Sequence, residues 1–596
     1  MKFVFILLVS LFSFSVQAQQ NDSRLAYSYY QNKEYEKAAE LFLQLYERTR
    51  SSSYLDYHII CLINGKQYNR AEEVLKKYLK TDNKNKDFLL NLGYIYEQQG
   101  KSKKSQEYYE KAIKALIPQA TDIRNLGYKF RNIREYEWAI KVYLQGQELL
   151  QQHDAFTNEL GDCYMMQRDY ENMLTLFLKD LQLHPDNINN ITSKLNFARS
   201  YDMVNNVDQA IEKRLAEILK EKEYNPIFDE LAVWYALQKK NYPTALQHAI
   251  LLNEKLENKL HLFCNVGRNA ADANEYDIAV QAYQKVLEKG KENNNFYISA
   301  RKEILNCQYA KYQHEHAEPS LFHQVAQDCE NYLQEYHYTS ANIDVALLLS
   351  DMYAYRLQQP DTADAILRKC IGVRYLNTNT LNQLKSKRAD LLAFMDNPWE
   401  ATILYTQIEK ANPNNDIGYE AKLKKAWLAY YAGDLLWAKA QFDVLKGATT
   451  KLVSNDAILM SHFINLNYRE NDENSELIQL ARTEYLIYKH QHAQALPVLD
   501  SLAQYAAAGI AARATLQKVQ ILSEQNLYPE AIELLTRLKK HSDEPHIQAE
   551  AIYQLANIHV RQKDLSQARE LYKLLVSEYS GSVYSIEAGK RYREIP

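Results

Sequence analysis

Glycine and proline are scarce in this chain of 596 residues, 15 and 12 respectively. That scarcity removes the turns a β-rich fold would need and the low-complexity composition of a disordered one. An excess of one charge is missing as well. Lys and Arg number 71 against 75 Asp and Glu, a formal charge of -4 with no long block of one sign, so no nucleic acid partner and no anionic membrane surface is expected. After residue 18 no apolar run is long enough to cross a bilayer, which excludes an integral span from the expectation.

Catalytic signatures are absent too. Gly65-Lys66 lacks the upstream glycine of a phosphate loop, and neither G-x-G-x-x-G nor G-x-S-x-G occurs. His314-Glu315-His316 with His323 nearby, and His490-x-His492, are the metal-like clusters. Two histidines two apart do not share a helix face, so only a loop or strand brings both to one ion. The second histidine of the first cluster also comes too early for H-E-x-x-H. Both clusters therefore read as solvated interhelical loops. Paired carboxylates such as Glu72-Glu73 read as solvated helix charges. No enzyme, no cofactor and no metal is expected.

What is abundant is tyrosine, 47 residues, together with a period. Leu92-Gly93-x-x-Tyr96 is followed 34 residues later by Leu126-Gly127-x-x-Phe130, and 34 later again by Leu160-Gly161-x-x-Tyr164. Ser105-x-x-x-Tyr109, Ala139-x-x-x-Tyr143 and Met173-x-x-x-Phe177 keep the same step, and Pro185 closes the third unit. Two antiparallel helices explain the spacing: the first needs a small residue where the second crosses it, and the second needs one in return. Aromatics one turn away, such as Tyr96 and Tyr109, fill the space between neighbouring hairpins.

This pattern resembles the tetratricopeptide repeat (TPR). The resemblance implies an all-α fold, a TPR α-solenoid in which helix-turn-helix repeats form a right-handed superhelix. Small positions at Ala38, Ala71, Ser105, Ala139, Met173, Ala210, Ala245 and Ala279 predict eight stacked units. Arg214 and Ala249 replace the aromatic four residues on, which makes units six and seven degenerate. The polar loop His184 to Asn190 accounts for the longer step before unit six. Register is lost over 290–339, read as a degenerate helical joint with helices near Phe296 to Tyr312 and Leu321 to Tyr336. It resumes at Ala363, Ala401, Ala438, Ala495, Ala531 and Ala568, with an additional helix near Ser454 to Tyr468. The expected organisation is a signal segment at 1–18, a first array at 19–289, the joint, and a second array with a capping helix at 340–596.

The amino terminus reads as an export signal: Lys2, an apolar run from Phe3 to Phe14, then Val16-Gln17-Ala18, with cleavage after Ala18. No cysteine lies near that point, so no lipid anchor is expected. An exported location permits disulfides, for example between Cys307 and Cys329 across one hairpin, but free cysteine is the stronger reading. Cys163, between Gly161 and Tyr164, reads as the small apolar seam residue that free cysteine usually is. Asp361-Thr362-Ala363 and Asp500-Ser501-Leu502 resemble a short O-glycosylation acceptor of some exported bacterial proteins. Near the carboxyl end, Tyr579-Ser580-Gly581-Ser582-Val583-Tyr584 with Glu587-Ala588 and Arg591 resembles envelope TPR proteins of Gram-negative bacteria. The nearest in style are the Tol-Pal coordinator and the outer-membrane assembly TPR lipoprotein, although the proline usual in those families is replaced here by Ser580.

In TPR folds the first helices line a concave groove, so the resemblance implies that residues flanking the buried Leu-Gly pair project into it. These are Asn91, Tyr94, Arg124, Asn125, Tyr128, Arg131, Asn158, Asp162, Arg199, Trp234 and Arg268, with Tyr27, Tyr30, Tyr57 and Asn265 in equivalent places. Asn91 and Asn125 are similar to asparagines that hold a ligand backbone in peptide-clamping TPR proteins. A carboxylate clamp needs further basic residues, for which only Arg124 and Arg131 are candidates. The function expected is a noncatalytic periplasmic scaffold whose groove binds a peptide segment or helix of an envelope protein. The alternatives are an architectural subunit, peripheral to an outer-membrane secretion or assembly complex, and a glycan-binding envelope protein.

Overall fold

The computed structural model describes residues 22–221, 224–256, 259–315, 317–447, 451–469, 475–542 and 544–595. The expected signal segment at 1–18 and His316 lie outside the described residues. Among those residues the regular structure is helical with no strand, and the helices alternate as antiparallel hairpins, giving the all-α repeat fold that the period predicts.

The chain divides into two compact units, Met1–Asn269 and Ala270–Pro596. In the first, hairpins such as Lys86–Gln98 with Ser102–Lys114, Ala120–Asn132 with Tyr136–Leu150, and Thr157–Gln167 with Tyr170–Leu183 follow one another. The division falls within the helix Leu260–Asp272. Tyr297–His314 and Pro319–Tyr336, the pair expected as a joint, belong to the second unit. Leu305, Phe322 and Leu333 there share one core with Leu349, Leu367 and Leu384. The hairpins beyond it have first helices Ile343–Tyr355, Thr378–Phe394, Asp416–Ala432, Glu476–Tyr488, Ala508–Glu524 and Pro545–Arg561. The additional helix spans Lys451–Asn467, and Val583–Glu594 closes the unit with Arg591 and Arg593 in its last turn, where they complement the helix dipole.

Every predicted small position falls on a second helix. It is the fourth residue of its helix at all of them except Ala210, which is fifth in Asn206–Ile218. Ala38, Ala71, Ser105, Ala139, Ala245, Ala363, Ala438, Ala495 and Ala568 are fully buried. The glycines of the first helices have a more specific cause than helix crossing alone. A Cβ at Gly93 would lie 2.4 Å from the Tyr109 ring, at Gly127 2.4 Å from Tyr143, and at Gly161 2.4 Å from Phe177. Each second-helix aromatic therefore lies against its own hairpin's glycine. Tyr109 also reaches the next hairpin, with its ring 5.0 Å from Phe130. Seam and hairpin lock are one residue.

Several expectations need correction. Ile188 to Asn190 are not loop: after the short 3-10 turn Pro185–Asn187 the helix Ile188–Tyr201 has already begun, so an inserted turn, with proline at its first position, stands where a loop was expected. Glu72 is not a solvated charge, since it accepts hydrogen bonds from Tyr96 Oη at 2.8 Å and Lys76 Nζ at 2.6 Å. The cysteines, by contrast, follow the stronger reading: all six are free thiols, and Cys307 and Cys329 are buried in separate helices. Burial pushes Cys61, Cys163 and Cys329 up to about 12, which keeps them protonated and unreactive.

The turn inside a hairpin recurs with one residue in the left-handed region. Lys66, Arg134, Lys240 and His490 hold φ of 58, 63, 54 and 55°, and Gly100 and Gly433 take the same place at 70 and 86°.

Candidate functional site

Several of the sequence-chosen residues of the first unit are engaged by neighbouring helices of the array. Arg124 Nε donates to Glu159 at 2.7 Å and its guanidinium lies 5.3 Å from the Phe156 ring centre. Arg131 pairs with Asp162 at 3.1 Å, Lys194 pairs with the other oxygen of Asp162 at 2.5 Å, and Lys194 also donates to Asn158. A chain of charge thus ties three consecutive first helices. Lys129–Asp87 and Lys86–Asp122 extend it to the preceding one, at 2.5 and 2.9 Å. The two arginines offered as clamp donors are engaged by the next repeat.

Arg199 turns to Asp208 of its own hairpin at 2.6 Å. Trp234 is half-buried beside Tyr235, Arg268 and Asn265 are exposed, and Asn91 and Tyr94 are half-buried. Tyr27, Tyr30 and Tyr57 form an aromatic cluster, with Tyr27 4.9 Å and Tyr30 5.5 Å from Tyr57. Tyr27 and Tyr57 in turn flank Phe42 at 5.1 and 5.0 Å, so these rings form a packing seam. Asn125 and Tyr128 remain open, Tyr128 at 60% exposure.

A larger concavity lies in the second unit, at residues the sequence reading did not select. It encloses about 630 Å³, within the range of ligand clefts, and is lined by five consecutive first helices. Tyr355 comes from Ile343–Tyr355, Asp390 and Phe394 from Thr378–Phe394, Trp427 and Tyr431 from Asp416–Ala432, and Glu484 and Tyr488 from Glu476–Tyr488. Arg513, Gln517, Gln520 and Glu524 come from Ala508–Glu524, and His490 and His492 stand at the rim. Spacings of three or four place each set on one helix face.

Long-range hydrogen bonds draw these helices together. Tyr485 Oη donates to the Ala393 carbonyl at 2.7 Å and Tyr488 Oη to the Asp390 carbonyl at 3.0 Å. Lys489 adds an ion pair to Asp396 at 3.0 Å. Helix Glu476–Tyr488 thereby bonds to a first helix two hairpins back, while Tyr431 of the intervening one stacks on Tyr485 at 5.4 Å. The face is folded tightly enough to make a cleft.

Its floor is an ion pair. Arg513 grips Glu484 with two bonds, Nε to Oε1 at 2.6 Å and Nη2 to Oε2 at 3.2 Å, and Glu484 is only 4% exposed. Burial disfavours the Arg513 charge, but the Glu484 carboxylate and its hydrogen bonds more than restore it, holding the guanidinium above its ordinary value. Burial, then the Asp390 carboxylate, raises Tyr488; burial, then Glu484, raises Tyr431. These phenols stay protonated; Tyr488 donates through its hydroxyl, and both rings offer apolar faces to the cleft. The arrangement offers aromatic surface around a neutralised pair, a recognition chemistry more than a reactive one.

The sequence carried one signal for this site, namely Trp427-x-x-x-Tyr431 and Tyr485-x-x-Tyr488 on corresponding first helices. No spacing rule announces that those helices meet.

No described helix is long and apolar enough to cross a membrane. Two family models described as tetratricopeptide repeat match the chain, over residues 13–216 and 550–582. Tetratricopeptide repeats therefore occur in both units, and with the all-α hairpin array they make the fold a TPR solenoid. No curated protein matches. Among solved structures, the one titled "Structure of Naa15/Naa10 bound to HypK-THB" is 12% identical, with 97% of this chain and 96% of that chain covered at a TM-score of 0.27. The yeast Tom70 crystal structure is 15% identical, with 80% and 95% covered at a TM-score of 0.26. At those scores the likeness carries no argument about function.

Proposed function

We propose that this TPR chain is a noncatalytic, exported scaffold that holds a segment of a protein partner in the cleft of its second unit. Tetratricopeptide repeats imply protein partners, and the cleft is the observation that carries the choice of site: five first helices present Tyr355, Phe394, Trp427, Tyr431 and Tyr488 around the Arg513–Glu484 pair. A guest anchored there by an aromatic or branched aliphatic side chain would gain most of its affinity from a few buried contacts.

The export reading rests on Lys2, the apolar run after it and Ala18. With it goes a periplasmic location and an envelope partner, in keeping with the Tyr579 to Tyr584 resemblance, and a peripheral place at an outer-membrane complex. The test is crosslinking in intact cells with a photoreactive residue at Gln517, against the same residue at Tyr128. A discrete adduct with an envelope protein at Gln517, abolished by Tyr355→Ala, is the result expected. Adducts at Tyr128 alone would move the site to the first unit, and a cytoplasmic adduct would overturn the location.

A further inference from the structure

The rim of the cleft holds a donor set unlike anything else among the described residues. Nitrogens of His490 and His492 and a carboxylate oxygen of Glu524 all lie within 4.8 Å of one another. His490 is the left-handed corner of its hairpin and His492 begins the helix His492–Tyr505. The pair therefore straddles a turn, the arrangement that lets two histidines two apart face one point. Glu524 arrives from the last turn of Ala508–Glu524.

We propose that His490, His492 and Glu524 bind one divalent transition-metal ion, Zn²⁺ in the first instance, at the mouth of the cleft. Three features carry this beyond proximity. His492 Nε2 is shielded from solvent and has no hydrogen-bond partner; its nearest carboxylate oxygen, Glu524 Oε2, stands 3.6 Å away. That is too long for a hydrogen bond, yet near the separation of about 3.3 Å that two ligands at about 2.0 Å from a tetrahedral ion would have. The second feature is orientation. Gln520 Nε2 donates to Glu524 Oε1 at 3.1 Å, fixing one carboxylate oxygen and leaving Oε2 toward His492, as an outer partner does for a metal ligand.

The third feature is charge. Lys489, the nearest cation in sequence, is held away by Asp396 at 3.0 Å and lies over the Tyr485 ring at 4.4 Å. The Arg513 guanidinium is committed to Glu484. Two imidazoles and one carboxylate make a borderline donor set suited to Zn²⁺ and its neighbours rather than to Mg²⁺ or Ca²⁺. Three protein ligands leave a position open toward the cleft.

The experiment is a titration of the tag-free full chain, stripped with chelator, with Zn²⁺ alone, followed by calorimetry and by equilibrium dialysis. Uptake of one ion per chain is expected, with His492→Gln and Glu524→Gln each weakening it by about tenfold or more, and Gln520→Leu by about tenfold. Co²⁺ in place of Zn²⁺ should give a visible d–d band that the same variants lose. Glu524 is exposed, so Glu524→Gln should unfold thermally as the parent does and keeps the reading clear of misfolding. No uptake by the parent, or unchanged uptake in all three variants, overturns the proposal. Because no guest protein enters the titration, its outcome is independent of whether the cleft is the partner site.

Discussion

The Tyr488 hydroxyl donates to the backbone carbonyl of Asp390 at 3.0 Å, across 98 positions of sequence. With Tyr485 on the Ala393 carbonyl, it binds a first helix to another that is not its hairpin neighbour. Removing both hydroxyls in Tyr485→Phe with Tyr488→Phe should cost about 2 kcal/mol, about 1 for each bond, as read from denaturant midpoints. The rings remain, so circular dichroism should not change. An unaltered midpoint would mean that packing alone closes the cleft.

Gly127→Ala would place a methyl 2.4 Å from Tyr143 Cζ and 2.6 Å from its Cε1. Overpacking of this kind costs about 1–3 kcal/mol. Combining it with Tyr143→Leu should cost less than the sum of the two single changes, because the second makes room for the first. Strict additivity in thermal unfolding would separate the glycine from the ring.

Asp229 is fully buried and satisfied by three donors: Tyr224 Oη at 3.0 Å, Lys255 Nζ at 3.0 Å and the His248 Nδ1 contact at 3.1 Å. Burial pushes its carboxyl up, and the bonds from His248, Lys255 and Tyr224 together pull it below the ordinary value. A depressed carboxylate contributes stability above its unfolded value of about 3.9 and loses it as pH falls through the folded value. The stability that Asp229 contributes should therefore be lost only below about pH 4, and Asp229→Asn should flatten that part of the acid limb. Asp229→Ala should cost about 3 kcal/mol at neutral pH.

Arg513→Met should be worse than the double change Arg513→Met with Glu484→Met. The single variant leaves a buried carboxylate without its cation, a loss of about 3–5 kcal/mol, whereas a pair replaced by apolar side chains is often close to neutral. Urea unfolding of the three chains decides it; a double variant less stable than the single would show that Glu484 has another partner of equal weight.

Tyr128→Ala should leave the unfolding midpoint within about 0.5 kcal/mol, since an exposed side chain away from strained or buried features rarely matters. Arg131→Ala strands Asp162, which keeps only Lys194, and should cost more. Equal losses would place Tyr128 in the seam.

The repeat was legible because its cause is local. A glycine and the aromatic that covers it are 16 residues apart, Gly93 with Tyr109 and Gly127 with Tyr143, and a short separation in a fixed hairpin survives as a pattern of residue types. The cleft was not legible because it depends on how steeply hairpins stack. Tyr485 and Ala393 are 92 positions apart, with an additional helix between them, and no periodicity encodes such a pitch. The candidates Arg124, Arg131 and Asp162 were sound as positions on first helices. Reading charges one residue at a time hid the fact that Glu159, Asp162 and Lys194 answer them from the following repeats.

Lys66, Arg134 and Lys240 occupy the same left-handed corner as Gly100 and Gly433, so the bend tolerates a long cation or no side chain at all. Such corners recur along each unit, every one at a known register from its neighbours. They form a graduated set of attachment points, where a fluorophore, a crosslinker or a chelating group can be installed one hairpin at a time while the helices on either side go on folding as before.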